Sequence, residues 1–250
     1  HSFPTRRSSD LMENVPELLS DRYITDFHAA KTVFERAGYI VKTVVLNAAG
    51  FGVPQQRFRA VIVAMKEDFG LPEPFLTQDR YVTVRQAIAS LPPVAAGETC
   101  PMDDYHRSAN HKAETLATIR AVPHDGGSRP RGVGPKCLDR VKGFSDVYGR
   151  LYWDKPAITI TRYSRNPASG RYVHPEQDRG LTVREAALLQ SYPSNFRFAG
   201  SFESVFRQIG EAVPPRFACA IAASVFVDML PDSEIPRFAE SVSVVPDNIQ

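Results

Sequence analysis

The sequence predicts an α/β protein in which a sheet-containing domain is interrupted by a smaller, irregular one. Two short apolar runs, at 39–46 and 59–65, are rich in β-branched residues, and runs this apolar are typical of strands covered on both faces. A helical pattern precedes them, an order that fits an α/β layer architecture. Between about residues 67 and 180, by contrast, Pro, Gly, Arg and Asp become frequent and the apolar runs shorten. This change predicts a separate, loop-rich small domain.

The first elements follow from local patterns. Residues 1–11 show neither the apolar stretch of a signal peptide nor a regular pattern, and we interpret them as a non-native segment. Residues 24–37 have the apolar spacing of a helix, and Gly38 provides its stop. The two strands at 39–46 and 59–65 come next.

Two short helices and one strand are predicted in the irregular region. Thr83 and Gln86 match the capping box that starts a helix over 83–91, and a second helix is expected over 113–121. Residues 157–162 alternate between apolar and polar side chains, which predicts a strand.

Regular structure returns after about residue 180. Thr182 and Glu185 form a second capping box, which starts a helix that continues through residue 190. A pair of prolines then opens a longer apolar helix over 214–230. Residues 231–250 are expected to form a solvated tail.

The overall composition is that of an ordinary globular protein. Of the 250 residues, 43% are hydrophobic and 23% are charged, which excludes wholesale disorder. No apolar run approaches the ~20 residues that a membrane-spanning helix needs, so no membrane association is predicted. Cys100, Cys137 and Cys219 are too few and too scattered for a disulfide framework or a zinc cluster, so no metal site is predicted.

Basic residues are concentrated in one stretch. The whole chain has a formal net charge of +2, with 30 Lys and Arg against 28 Asp and Glu. Residues 120–171, here called the basic segment, contain eleven basic and four acidic residues and therefore carry +7. A concentrated positive segment in a near-neutral protein is typical of a protein with a polyanionic partner.

Several sequence patches carry a family resemblance. They are MENVP at 12–16, GVPQQRFR at 52–59, YWDKPAITIT at 152–161, HPEQDR at 174–179, LTVREAALLQSYP at 181–193 and QIGEAVPP at 208–215. In this order, with a basic domain after the second patch, they resemble the DNA cytosine-5 methyltransferases. The resemblance covers the chain from residue 11 to about 230.

The resemblance implies a fold and an activity. Residues 12–66 and 182–230 would be the C-terminal half of a Rossmann-like, S-adenosylmethionine-dependent methyltransferase domain, a partial catalytic domain. Residues 67–181 would be the target-recognition domain. The implied reaction transfers methyl from S-adenosyl-L-methionine to C5 of a flipped-out cytosine in double-stranded DNA, in the cytoplasm at the nucleoid and in the setting of restriction-modification.

Glu13 is the first candidate catalytic residue. C5 of cytosine is too weak a nucleophile to attack a sulfonium methyl group, and the family solves this by adding a cysteine thiolate to C6. Negative charge then develops on the ring and must be met at N3. By resemblance, Glu13 contacts N3 and the exocyclic amine of the flipped-out base, and it must be protonated to donate to N3. Asn14 belongs to the same base site by resemblance. Taken alone, Glu13 would more commonly be a solvated surface carboxylate; the other patches favour the catalytic role.

Arg57 and Arg59 form the second candidate group. Two residues apart at the entry to a strand, they are expected to point to one face, and two guanidiniums suit a phosphate or a carbonyl oxygen. By resemblance, Arg59 is a catalytic residue that reaches O2 of the cytosine, while Gln55 and Arg57 organise the base and DNA site beside it. An ion pair that closes the rim of a sheet is the alternative role for either arginine.

The last patch resembles the block that closes over S-adenosylmethionine. Glu211, Ala212 and Val213 are therefore the predicted cofactor-binding residues. The family usually has Asn where this chain has Glu211, and a carboxylate loses a donor and adds a charge. Arg184 and Glu185, in the preceding patch, are expected to seat the recognition domain without direct chemistry.

Two blocks of the family are missing from these 250 residues. The nucleophile lies in a Pro-Cys-Gln triplet and the cofactor loop is Gly-rich, and the sequence contains neither. We therefore interpret the chain as the C-terminal part of such an enzyme, inactive by itself. It could be a truncated enzyme, or one subunit of a split enzyme whose separate N-terminal fragment carries those blocks. A DNA-binding module without catalysis and a degenerate remnant are the other hypotheses.

Overall fold

The structure is a computed structural model, and it describes residues 9–140 and 145–226. Its strands are β1 (Ser9–Asn14), β2 (Ile40–Asn47), β3 (Phe58–Met65), β4 (Thr99–Cys100) and β5 (Asp103–Arg107). The main sheet has the order β1-β3-β2, and β4-β5 form a separate hairpin. Because β3 pairs antiparallel with both neighbours, β1 and β2 run parallel to each other.

The helices account for most of the remaining regular structure. In the described part of the chain, the α-helices are α1 (Ile24–Arg36), α2 (Val84–Ile88), α3 (Ala113–Arg120), α4 (Val183–Leu189), α5 (Phe202–Glu211) and α6 (Pro215–Phe226). Short 3-10 helices lie at Pro16–Leu19, Ala48–Phe51, Gln78–Arg80, Lys136–Asp139 and Pro167–Ser169. None of these helices is long and apolar enough to span a bilayer.

Most predicted elements are confirmed, including both capping boxes. The side chains of Thr83 and Thr182 accept from the backbone of Gln86 and Glu185, and each longer side chain reaches back to the cap. Helix α5 was not predicted, although its buried residues follow helical spacing and Ser201 caps its start. The predicted helix over 214–230 is seen as α6; residues 227–230 and the predicted tail lie outside the described residues.

The predicted strand at 157–162 is wrong. This segment makes only a single bridge, between Gln55 and Ala157. Ala157 N donates to Pro54 O at 3.0 Å, and Gln56 N donates to Ala157 O at 2.8 Å. The segment therefore runs beside a loop rather than beside a strand, so its alternating pattern reflects one buried side and not a sheet.

Residues 9–11 form the first half of β1. Leu11 lies opposite Val63 in the register with β3. These three residues, assigned from the sequence to a non-native segment, therefore belong to the sheet in the structure. Residues 1–8 lie outside the described part of the chain.

The main sheet and α6 share one apolar cluster. Val61, Val63 and Met65 of β3 contribute to it, together with Phe217 and other apolar residues of α6. The alternate residues of β3 are also buried, which confirms a strand covered on both faces. An apolar helix such as α6 would be expected to bury Cys219, but this residue is exposed, because it lies on the opposite side of α6 from Phe217.

A second, larger cluster joins the irregular region to α4 and α5. It contains Trp153 and Ile160 from the irregular region, Leu189 from α4 and Phe206 from α5. The predicted boundary between 67–181 and 182–230 thus falls inside one core. Helix α6 packs on the main sheet, whereas α4 and α5 pack with the irregular region.

Candidate functional site

Strand pairing brings Glu13 and Arg59 together. Glu13 lies opposite Val61 in the β1-β3 register, and Arg59 precedes Val61 by two residues, so all three side chains leave the same face. Arg59 Nε lies 2.6 Å from Glu13 Oε1, and the two side chains are 13% and 21% exposed. The two predicted catalytic residues therefore form a charge pair that is largely buried but keeps some solvent exposure.

Asn14 lies beside this pair at the end of β1. It is exposed, and its Oδ1 accepts from Val15 N at 2.8 Å. The side chain is thus turned toward its own backbone, although its exposure leaves the amide accessible.

Arg57 braces the site from inside the protein. Its Nη1 donates to Ile160 O at 3.0 Å, and its Nη2 donates to Gly210 O and Ala212 O, each at 3.2 Å. Burial, together with the charge of Arg59, lowers the pKa of Arg57 to about 10, so the guanidinium is still charged at neutral pH. Its side chain is only 3% exposed. The structure thus brings Arg57 beside the Glu13–Arg59 pair in a buried position, from which it can organise the site as predicted but not reach the surface.

Gln55 is also internal. Its Nε2 donates to Leu189 O at 2.8 Å and to Oε1 of Gln190, and its Oε1 accepts from Ile160 N at 3.0 Å. The residue is fully buried. Like Arg57, it was predicted to organise the base and DNA site, and in the structure its amide ties the loop before β3 to α4 and to residue 160.

Gln190 completes this buried network and was not singled out from the sequence. Its Nε2 donates to Ile209 O and to Ala212 O, both at 2.8 Å. It therefore connects Gln55 to the end of α5, and it shares the Ala212 carbonyl with Arg57. The only sequence signal for this role is that a glutamine directly follows the apolar residues of α4, and a polar residue at the end of a helix would ordinarily be expected to face solvent.

The predicted cofactor residues have other partners. Glu211 is half exposed and its Oε1 accepts from Arg162 Nη1 at 3.1 Å. The carbonyl of Ala212 is used by Arg57 and Gln190, and Val213 packs against the cluster under the sheet. In the structure these three residues offer no free polar side chain to S-adenosylmethionine, and their role in cofactor binding stays a prediction.

Gly210 allows α5 to approach the segment before Arg162 very closely. A Cβ atom at this position would lie 2.1 Å from both the backbone N of Arg162 and the carbonyl carbon of Thr161. No side chain can be accommodated there without moving the backbone. The glycine thus fixes the end of α5, and with it the carbonyls that hold Arg57.

Charged residues at α4 join it to the irregular region. Arg179 donates to Glu185 through two hydrogen bonds of 2.8 and 2.7 Å, and Arg184 pairs with Asp103 of β5. Burial alone would raise the pKa of Glu185, but the hydrogen bonds and charge of Arg179 outweigh burial and lower it. Arg184 and Glu185 therefore connect α4 to residues 67–181, as the sequence analysis expected.

Part of the basic segment is internal. Arg150 is fully buried and donates to four backbone carbonyls, and Arg171 is 6% exposed and donates to three. Arg129 is nearly buried and pairs with Asp139 at 2.9 Å. The +7 charge of the segment is therefore larger than the positive charge that is exposed for contact with a polyanion. The exposed cations of the segment without an ion pair, within the described residues, are Arg131, Lys136, Arg140 and Lys155.

Comparison with known proteins places these features in a family. A profile described as C-5 cytosine-specific DNA methylase matches residues 11–226. The type II methylase M.HgiDII of Herpetosiphon aurantiacus is 37% identical over 225 residues, which are 86% of this chain and 63% of that protein. The type II methyltransferase M1.HphI of Haemophilus parahaemolyticus is 39% identical over 217 residues, which are 86% of this chain and 55% of that protein.

Solved structures support the fold. A DNA modification methyltransferase encoded within an E. coli prophage superposes with a TM-score of 0.65 at 20% identity, covering 86% of this chain and 67% of that one. The chain spans between 55% and 63% of the length of the two curated relatives above. The match along residues 11–226 shows that this chain belongs to the C-5 cytosine-specific DNA methylase family.

Proposed function

We propose that this chain provides the base-binding and DNA-recognition parts of a DNA cytosine-5 methyltransferase, with double-stranded DNA as its partner. The observation that carries the proposal is the Glu13–Arg59 pair, whose closest atoms are 2.6 Å apart and whose side chains keep partial exposure, with Arg57 buried nearby. The relatives are named type II methylases and methyltransferases, which supports a role in restriction-modification.

In this proposal, Glu13 and Arg59 bind adjacent positions on one edge of the target cytosine. A protonated Glu13 carboxyl donates to N3, and the Arg59 guanidinium donates to O2, where charge develops when a thiolate adds to C6. Entry of the base breaks the Glu13–Arg59 contact, because each side chain then binds an atom of the cytosine instead of the other side chain. The positive charge of Arg57 lies behind them and favours electron density on the ring.

The reaction also needs a thiolate and a methyl donor. None of the three cysteines lies in a Pro-Cys-Gln triplet; Cys100 is buried, while Cys137 and Cys219 are exposed. We therefore propose that the nucleophile comes from the N-terminal blocks that these 250 residues do not contain, whether they lie on the same polypeptide or on a separate fragment. S-adenosyl-L-methionine would supply the methyl group. Since residues 211–213 offer it no free polar side chain, its site would be built mainly by those blocks.

Recognition of DNA is assigned to residues 67–181. Arg131, Lys136 and Arg140 are exposed in a glycine-rich stretch, and unpaired cations on a loop are suited to phosphate contacts. Fewer contacts are expected than the charge of the basic segment suggests, because Arg150 and Arg171 are internal.

The test combines the chain with an N-terminal fragment that carries the Gly-rich loop and the Pro-Cys-Gln block. Transfer of tritiated methyl groups to duplex DNA is measured for the wild type, for Glu13→Gln and for the control Glu17→Gln. We expect transfer only with both parts present and loss of rate only for Glu13→Gln. DNA binding without any transfer by the combined parts would instead favour a non-catalytic DNA-binding module.

A further inference from the structure

A groove lies between the segment at 162–163 and the first turns of α5. It has a volume of about 450 Å³, and Arg162, Tyr163, Ser201, Glu203, Ser204 and Arg207 line it. Tyr163 is 53% exposed, and its hydroxyl accepts from Arg162 Nη2 at 2.7 Å. The groove therefore combines guanidiniums, hydroxyls and an aromatic ring, which are the groups that contact nucleic-acid backbones.

The charges in and beside this groove are not balanced. Arg162 pairs with Glu211 at 3.1 Å, and Arg165 pairs with Glu203 at 2.6 Å. Arg207 is exposed and has no ion pair or hydrogen bond to residues 9–140 or 145–226. Three arginines and two glutamates leave one net positive charge, and that charge is free to meet an anion.

The groove is attached to the site proposed for the target base. Glu211 lies between Gly210 and Ala212, whose carbonyls accept from Arg57. Gly210 in turn packs directly on the backbone of Arg162. A DNA strand in the groove would therefore pass close to the residues that bind the flipped base.

We propose that this groove binds a phosphate of the DNA backbone, with Arg207 as the free cation and Glu211 as an internal competitor for Arg162. The inference rests on the proposed function and adds a contact outside residues 67–181. In the free protein Glu211 holds Arg162; a phosphate then replaces the carboxylate.

The test measures binding of the full chain to a fluorescent DNA duplex by anisotropy over a range of KCl concentrations. Arg207→Ala should weaken binding and reduce the slope of log K against log salt by about 0.9, the value for one phosphate contact. Glu211→Gln should tighten binding by up to about fivefold, the upper end for releasing an exposed ion pair. The double variant Arg162→Ala/Glu211→Gln should lose that gain.

Two variants on α1 serve as matched controls. Glu35→Gln removes a half-exposed carboxylate that also pairs with a cation, Lys31 at 3.6 Å, and Arg36→Ala removes an exposed arginine. Circular dichroism verifies the fold of each variant.

Three results would overturn the inference. If Arg207→Ala and Glu211→Gln match their controls while the wild type binds DNA, the groove is not a contact and the proposed function stands. If neither the wild type nor any variant binds DNA even at low salt, both the proposed function and this inference fail. If inorganic phosphate displaces the duplex more strongly than chloride at equal ionic strength, the groove is a site for a free phosphate ion.

Discussion

Replacing Glu185 with glutamine should strongly destabilise the protein, because it breaks a charge pair inside the larger core. Arg179 and Glu185 are 0% and 1% exposed, and their two hydrogen bonds measure 2.8 and 2.7 Å. Glutamine keeps the shape of the side chain but leaves the guanidinium without a counter-charge. Breaking a buried pair by removing one partner costs about 3–5 kcal/mol.

Trp153 provides the probe for this prediction. It is the single tryptophan of the chain, it lies in the core that contains α4, and its ring meets that of His174 edge to face. Urea unfolding followed by its fluorescence should show the midpoint of Glu185→Gln lowered by about 1–5 M, given typical urea slopes of about 1–3 kcal/mol per M.

The control is an exposed ion pair of similar length. Glu203→Gln removes the partner of Arg165, which lies 2.6 Å away with the glutamate 72% exposed. Surface pairs contribute about 1 kcal/mol or less, so this variant should unfold near the wild type. Equal shifts of the midpoint for Glu185→Gln and Glu203→Gln would refute the assignment of Arg179–Glu185 as a buried, stabilising pair.

Four further predictions follow from other parts of the structure. Burial lowers the pKa of His174 to about 4, so below about pH 6.5 the unfolded chain binds a proton that the native protein does not. The free energy of unfolding should therefore decrease as the pH falls below about 6.5, by up to about 2 kcal/mol at pH 5. Urea unfolding of His174→Gln should show a weaker pH dependence. Gly210→Ala should lower the free energy of unfolding by about 1–3 kcal/mol or more, because the added Cβ meets backbone; an unchanged urea midpoint would contradict the close approach. Gln190→Met should keep the volume but remove the Gln190 donor from the Ile209 carbonyl and leave the Ala212 carbonyl with only Arg57, at a cost of about 1–3 kcal/mol, measurable in the same titration. With the N-terminal fragment present, Glu13→Gln should lower the methylation rate about 10²–10⁴-fold with little change in DNA affinity, whereas the chain alone should transfer no methyl groups.

The elements that the sequence predicts well are those whose cause is local. The two capping boxes consist of residues three apart, and α1 ends at Arg36, two residues before Gly38, which has a positive φ of 80°. The strands at 39–46 and 59–65 were recognised from their composition, and they form β2 and β3. In each case a few neighbouring residues determine the backbone conformation, so the element can be predicted from this one sequence.

The burial of charged and amide side chains could not be predicted in the same way. Arg57 and Gln55 belong to a patch that the family resemblance places at the base site, yet their partners, Ile160, Gly210 and Gln190, are distant in sequence. No local pattern indicates which arginine of a basic stretch turns inward. Of the three predicted site residues in this patch, only Arg59 lies beside Glu13 with part of its side chain exposed, because the β1-β3 register places the two residues together.

The shared core of α4, α5 and the irregular region has a consequence for exchanging specificity between relatives. A chimera that takes its foreign segment from residue 67 to residue 181 would cut this core in two, separating Trp153 and Ile160 from Leu189 and Phe206. Junctions placed before residue 67 and between α5 and α6 would transplant the core whole. Such a graft would also bring its own Gly210 and Ala212 carbonyls to Arg57, so the host's loop before β3 and the donor's α5 would have to match each other.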